Sequence, residues 1–455
     1  MHRLTTTLTT LIFGILLSVD AVQGQTSISP EYSSWNDHFG HSISSDGVWI
    51  AVGMPQDSSE ASLRGSVHIY WKNGDTWLLH QRISPDPIPG SGENLFFGTS
   101  VSLSGDLLLV GAPGDDEVGV NAGSAHLFQL QEDTGLWEET DKLFSTTPAI
   151  NDRLGTTVSI HAQLGLAIAG QLDADGTGEL HTWTVDGSNW VQQEQLSNPS
   201  GESNTKFGIS FDFDGSTLIA GAPDEQGGRG SVWIMTYESS TNNFIVDALL
   251  QPDDNVLAPH FGSSVAISEN TIVIGSPHDG DGMLNGGAAY LFKNLGNGWI
   301  AQDKFMGFST EFGDAFGSSV QLVNNSLVVG APFHNQETGD AYSFDVTGTT
   351  AVELLQLMAH DSVPNSYFGY NCHIANETIF VSALSYDNNN FLCGKLYLYD
   401  SIVMVGDFNA DRDVNIQDLL LLISAWGSCE DDCLPDLDRN GKVDINDLLA
   451  FINVW

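Results

Sequence analysis

Phe97-Gly98-Thr99-Ser100-Val101-Ser102-Leu103-Ser104-Gly105-Asp106-Leu107-Leu108-Leu109-Val110-Gly111-Ala112-Pro113 decides the fold of this chain. A Phe-Gly head opens a stretch in which small and apolar residues alternate. Gly105-Asp106 breaks it, and an apolar run then leads into Gly-Ala-Pro. Period-two alternation marks a strand with one buried face, and a short apolar run suits a strand buried on both. Two further strand-like stretches follow, so the unit reads as Gly98 to Leu103, Leu107 to Gly111, Ser124 to Leu130 and Trp137 to Leu143. Gly, Asp and Asn clusters separate them, as turns require.

The unit recurs. Heads stand at Phe39-Gly40, Phe97-Gly98, Phe207-Gly208, Phe261-Gly262, Phe316-Gly317 and Phe368-Gly369, and Leu154-Gly155 fills the missing slot. Thirteen residues after the head glycine come Gly53-Met54-Pro55, Gly111-Ala112-Pro113, Gly221-Ala222-Pro223, Gly275-Ser276-Pro277 and Gly330-Ala331-Pro332. The third copy arrives two residues late as Gly170-Gln171, and the seventh reads Ser382-Ala383. The fourth strand begins near an aromatic in most copies: Trp77, Trp137, Trp190, Phe244 and Trp299.

Four strands per unit, repeated radially, predict a β-propeller, because one such sheet cannot cover both its faces alone. The fold expected is all-β, with seven four-stranded blades over residues 25–400. The head Phe is expected to wedge between neighbouring blades, and the motif Pro to end its strand at a turn. The seventh unit stops after three strands, at Asp400. Ile28-Ser29-Pro30 repeats the Ile83-Ser84-Pro85 that ends the first unit, so residues 25 to 30 are expected to supply the missing outer strand of blade 7.

Bulk composition sets limits on partners. Fourteen basic residues face 58 acidic ones, a net charge of −44. Such a surface repels a phosphate backbone and an anionic membrane, which argues against nucleic-acid binding. Residues 1–24 read as a signal peptide: His2-Arg3, the apolar run Leu11 to Leu17, then small residues allowing cleavage after Gly24. Export permits disulfides, and among three possible connectivities the simplest is Cys372–Cys393 with Cys429–Cys433. No later segment is long and apolar enough to span a membrane. The acidic clusters after the second motif, such as Asp115-Asp116, Asp224-Glu225 and Asp279-Gly280-Asp281, read as solvated turns, or alternatively as a weak cation or ligand rim. Asp212-Phe213-Asp214-Gly215 reads as a hairpin turn too short for a calcium cage.

After Asp400 the pattern changes, and residues 401–455 carry two matching segments. The first offers Asp407, Asn409, Asp411, Asp413, Asn415 and Asp418; the second offers Asp436, Asp438, Asn440, Lys442, Asp444 and Asp447. Oxygen side chains fall at loop positions 1, 3, 5, 9 and 12, and position 7 (Asp413 or Lys442) would contribute its backbone carbonyl. Such a set suits Ca²⁺, a hard cation that takes six to eight oxygens. An apolar helix follows each loop, Leu419 to Trp426 and Leu448 to Val454, so the module is expected to be small, α-helical and EF-hand-like, binding about two Ca²⁺ ions.

Two resemblances follow from these residues. Phe-Gly followed by Gly-Ala-Pro resembles the FG-GAP repeat of integrin α-subunit heads and of bacterial secreted proteins. It implies a seven-bladed propeller, an extracellular setting and a binding role. The duplicated loop-plus-helix, with Asp rather than Glu at position 12, resembles a type I dockerin and implies docking to a cohesin-like partner. Two departures stand out: Arg412 at position 6 of the first loop, and Ile416-Gln417 and Ile445-Asn446 where clostridial dockerins carry Ser-Thr.

The expectation is therefore a secreted calcium-binding interaction protein, its propeller a display platform and its tail a docking module for a cohesin-like or other extracellular protein, with a glycan as a further possible ligand. The alternatives are an accessory or catalytic component of a polysaccharide-degrading assembly, or a structural cell-surface protein. No Gly-x-Ser-x-Gly elbow or His-Glu-x-x-His helix is present, so no catalytic residue is nominated.

Overall fold

The computed structural model describes residues 26–30, 37–58, 63–74, 76–85, 94–252, 256, 258–280, 285–361, 363–376, 378–385, 393–400, 415–428, 435 and 442–454. Residues 1–24, expected to be a signal peptide, lie outside them. Seven four-stranded antiparallel sheets are strung along the chain. Blade 2 comprises Ser100–Ser104, Leu107–Ala112, Ser124–Leu130 and Trp137–Leu143, and six blades share this first-to-fourth order. Blade 7 holds Phe368–Ala375, Thr378–Ala383 and Lys395–Asp400, and Thr26–Ile28 adds its outer strand with Thr26 opposite Leu398 and Ile28 opposite Leu396. Thr26–Ile28 thus closes the ring, as the repeated Ile-Ser-Pro indicates. In the third unit, the two extra residues are absorbed by a 3-10 turn at Ala162–Leu164, before the second strand Leu166–Gln171.

First strands of consecutive blades pack on one another, and Ser42–Ser45 meets Phe368–Ala375 to complete the circle. All seven head side chains are fully buried. Phe97 lies in one apolar cluster with Val67 and Ile69 of blade 1 and Val110 and Phe128 of blade 2, so it does wedge between blades. The same junction has a backbone hook. The Phe97 amide donates to the Arg64 carbonyl, Leu154 to Ala122, Phe316 to Gly286 and Phe368 to Thr338; Phe39 donates to Cys393 across the closure. Reaching back in this way turns the chain sharply. The residue before each head (His38, Phe96, Arg153, Lys206, His260, Ala315, Tyr367) is left-handed, with φ between 53° and 60°.

Glycine is required where the blades touch. Gly111 faces the Gly155 carbonyl of the next blade, where an added Cβ would sit 1.9 Å from that oxygen. Gly98 has φ +89°, and its Cβ would come within 2.6 Å of the Ser66 carbonyl. Every third-to-fourth strand pair of blades 1 to 6 carries a bulge at the equivalent place, as at Leu127/Phe128. Bulges twist the outer strands and blunt them as templates for pairing with other chains.

One sequence expectation is overturned. Cys372 and Cys393 do not form a disulfide; both are buried thiols. Cys372 lies in the first strand of blade 7 opposite Val381, whereas Cys393 leads into the third strand, with Thr378–Ala383 between them. Two strand spacings are about 10 Å, beyond the roughly 7 Å Cα separation that a disulfide bridges. Cys429 and Cys433 lie outside the described residues.

At the C-terminal end, helix α1 (Ile416–Ser424) and helix α2 (Ile445–Val454) flank a short ladder of Gly427–Ser428 with Lys442–Val443. Leu422, Val443 and Phe451 form a small separate core with Leu419, Ala425 and Leu448 against it.

Candidate functional site

Antiparallel order puts the second-to-third and fourth-to-first connections on one face of the ring. The opposite face has tight turns such as Gly105-Asp106 and Asn324-Asn325. Asp214 makes one of them, its Oδ1 accepting from the amides of Ser216 and Thr217, so the Asp212-Phe213-Asp214-Gly215 segment is indeed a hairpin turn. The longer loops carry the acidic clusters.

One acid of each cluster is buried rather than solvated. The residue four after the motif glycine is Asp57, Asp115, Glu225 or Asp279, and each is almost wholly buried. Asp57 accepts from Ser66 at 2.6 Å and pairs with Arg82 at 2.7 Å. Asp115 accepts from Ser124 at 2.7 Å and pairs with Lys142 at 2.7 Å. Glu225 accepts from Ser231 and from Trp233 Nε1, and Asp279 from Tyr290 and from Lys304 at 3.0 Å. Each acid ties its loop to the start of the third strand, and in three blades to a cation on the fourth. Burial alone would push the Asp115 carboxyl up, but hydrogen bonds from His126, Lys142 and Ser124 reverse this and hold it far below the carboxylate range. A buried carboxylate without such donors is costly, which is why the pairing recurs.

Blade 6 inverts the arrangement. His334 occupies the acid's place, Asp340 replaces the serine opening the third strand, and Gln356 stands where Arg82, Lys142 and Lys304 stand. His334 Nδ1 lies 2.7 Å from Asp314 Oδ2 and its Nε2 lies 3.3 Å from Asp340 Oδ2; Gln356 donates to Asp340 at 2.6 Å. In blade 7, Lys395 opens the third strand and pairs with Asp361 at 2.6 Å.

Ser124, His126 and Glu139 stand in the order of a nucleophilic triad, at 3.1 and 2.8 Å. Ser124 and His126 are buried and the Ser124 hydroxyl is donated to Asp115, so a substrate carbonyl has no approach to it.

The first strands surround a central cavity of about 490 Å³. Their side chains alternate: apolar ones pack into the clusters shared with the preceding blade, and polar ones reach the next blade. The polar ones link blade to blade: Ser42 donates to the Gly98 carbonyl, Ser100 to Gly155, Thr157 to Gly208, Ser210 to Gly262 and Ser264 to Gly317. Deeper in, Asp212 Oδ2 accepts from the Ile267 amide at 2.8 Å and His373 Nε2 from the Ser45 amide at 3.0 Å. Seclusion from bulk water pushes the Asp212 carboxyl up to about 6. Burial likewise holds His161 down at about 4. These links escaped the sequence reading, although a hydroxyl three residues after six of the seven heads was visible.

Of the twelve residues expected to hold calcium, Asp407, Asn409, Asp411, Asp413, Asp436, Asp438 and Asn440 lie outside the described residues. The other five fall into two equivalent sets. Asp418 is buried, and its Oδ2 accepts from the Asn415 amide at 2.9 Å, while Asn415 Oδ1 accepts from the Gln417 amide at 2.8 Å. Asp447 is buried, and its Oδ2 accepts from the Asp444 amide at 2.7 Å, while Asp444 Oδ1 accepts from the Asn446 amide at 2.8 Å. Each set is a capping box that starts its helix and fixes the position-12 carboxylate relative to position 9. Lys442 is exposed and lies in the short ladder, where only its backbone is available to a loop. Oxygen donors held in duplicate fit a hard cation.

Fold and repeat together define a seven-bladed propeller, and two of its segments match a known repeat family. The FG-GAP repeat family profile matches residues 91–128, the first three strands of blade 2, and residues 247–292, reaching through the third strand of blade 5. No curated protein matches the chain. A similar solved structure is a crystal structure of a protein from Lactobacillus plantarum, 13% identical, covering 73% of this chain and 86% of that one, with a TM-score of 0.49. Among the described residues no helix is long and apolar enough to cross a membrane.

Proposed function

We propose that this is an exported, calcium-dependent interaction protein, with the propeller as display platform and the C-terminal module as a dockerin-like plug for a cohesin-like exported partner. One observation carries the reading. Ile416, Leu420 and Ile423 on α1, and Ile445, Leu449 and Ile452 on α2, are between 50% and 59% exposed. Spacing of i, i+4, i+7 makes each trio one helical stripe. The two stripes are equivalent under the 29-residue repeat, and each begins just after the position-9 residue of its loop. Apolar side chains duplicated and left open at such positions suit a docking surface better than a core.

In this proposal Asp407, Asn409, Asp411, Asp413, Asn415 and Asp418 hold one ion. Asp436, Asp438, Asn440, Lys442 (through its carbonyl), Asp444 and Asp447 hold the second. Calcium would offset the mutual repulsion of the loop carboxylates and couple metal uptake to ordering of the module. Calorimetric titration of the full chain with CaCl₂ is expected to show about two bound ions. A type I cohesin domain should bind only with calcium present and lose binding in the double variant L420E/L449E. No heat of calcium binding at millimolar concentration sinks the proposal, whereas calcium uptake without cohesin binding would retain the metal and reject this partner.

A further inference from the structure

We propose that blade 6 contains a pH-sensitive fastener, in which His334 clamps the 306–316 loop to the third strand in mild acid and lets it go as the solution becomes alkaline. The geometry is a bridge between two elements. Asp314 belongs to the connection that enters blade 6 and is 3% exposed; Asp340 opens the third strand, Asp340–Asp345, and is 4% exposed. His334 sits between them on the loop after the second strand, one ring nitrogen toward each carboxylate. An imidazolium donates through both nitrogens at once. A neutral imidazole has one N–H and turns a lone pair on the other carboxylate. Deprotonation therefore breaks one arm of the bridge and leaves a buried carboxylate facing a lone pair.

The groups around the ring favour the charged form. Asp314 and Glu311 face it from the entering loop and Asp340 from the third strand, while Gln356 on the fourth strand is neutral. The Tyr342 hydroxyl, hydrogen-bonded to Ser309, is also neutral over the range in question. The hydrogen bond to Asp314 raises the His334 pKa above its ordinary value, burial opposing it. Burial lifts Asp340 to about 6, with the His334 charge and Gln356 acting against that. Both shifts have one sign: the fold favours the protonated form of each group. The two-armed clamp needs His334 charged and Asp340 ionised, which coexist near and just above pH 6, and it is lost as pH rises through the folded-state value of His334. Blades 1 and 5 pair their buried acid with Arg82 and Lys304, whose charges do not change over that range.

The loop concerned carries Phe308 and Phe312, 70% and 69% exposed, and the Phe333 amide holds it through the Asp314 carbonyl. Release of the bridge would thus alter how these aromatic side chains are presented on the long-loop face.

Hydrogen exchange on the full chain at pH 6 and pH 8.5, corrected for intrinsic exchange, tests this. Protection in residues 306–316 is expected to fall between the two conditions. Residues 54–58 of blade 1, where Asp57 pairs with Arg82, should not change, and H334Q should be weakly protected and flat. Equal protection at both pH values, or a wild-type response retained in H334Q, overturns the proposal. Should H334Q fail to fold, ¹³C-histidine NMR of D314N replaces it: the His334 midpoint must drop relative to wild type, and an unchanged midpoint is fatal.

Discussion

Blade 2 and blade 6 solve one mechanical problem with opposite charges. Each must pin the loop after its second strand against the third and fourth strands. Blade 2 places Asp115 on the loop and Lys142 on the fourth strand. Blade 6 places His334 on the loop, Asp340 on the third strand and Asp314 on the entering loop. Repeat position therefore conserves the junction and not the residue type. It also shows how so acidic a chain tolerates its own charge. Several of its fourteen basic residues sit beside buried carboxylates in the blades, leaving the surface strongly negative.

Breaking the blade 2 pin gives the largest expected effect. Lys142→Met leaves Asp115 buried beside Glu117 without its ammonium, and is expected to destabilise the propeller by about 3 kcal/mol. Thermal melting at pH 7 would read this as a clear drop, and a melting point equal to wild type would mean that water or His126 suffices. The acid limb separates the two blades further. Asp115 has a depressed pKa in the fold, so its contribution is full above about pH 4 and lost as pH falls through the folded value. Asp115→Asn should therefore flatten the decline of stability below pH 4, whereas Asp340→Asn should not; identical acid limbs in both variants would remove the distinction. Smallest is the pair Ser100→Ala and Ser319→Ala. Ser100 donates to the Gly155 carbonyl and Ser319 accepts from the Cys372 amide. Each loss is expected to cost about 1 kcal/mol in urea unfolding. A markedly unequal pair would show that the two junctions differ along the axis as well as at the rim.

Much of this architecture was legible beforehand because it depends on local rules. Phe97-Gly98 and Gly111-Ala112-Pro113 recur with strand patterns between them, and Ile28-Ser29-Pro30 repeats a strand end, so blade number and ring closure could be counted. The two helix starts at Asn415 and Asp444 were legible for the same reason, as oxygen side chains repeated at a fixed spacing. Asp115, Glu225 and Asp279 were misread because burial is not a property of the turn. Asp115 looks solvated until Lys142, on the fourth strand, is folded over it. The cysteines misled likewise: nearness along the chain said nothing of the strand that separates Cys372 from Cys393.

Sequence alone determined that seven similar sheets exist and in what order, since hydrophobic period and turn residues act over a few positions. Only the tertiary structure decided which charges meet. Whether His334 lies between two carboxylates, or Ser100 reaches the next blade's carbonyl, depends on contacts made by residues far apart in the chain. Burial in that assembled ring then sets their energies, because a charge removed from water must find its partner there.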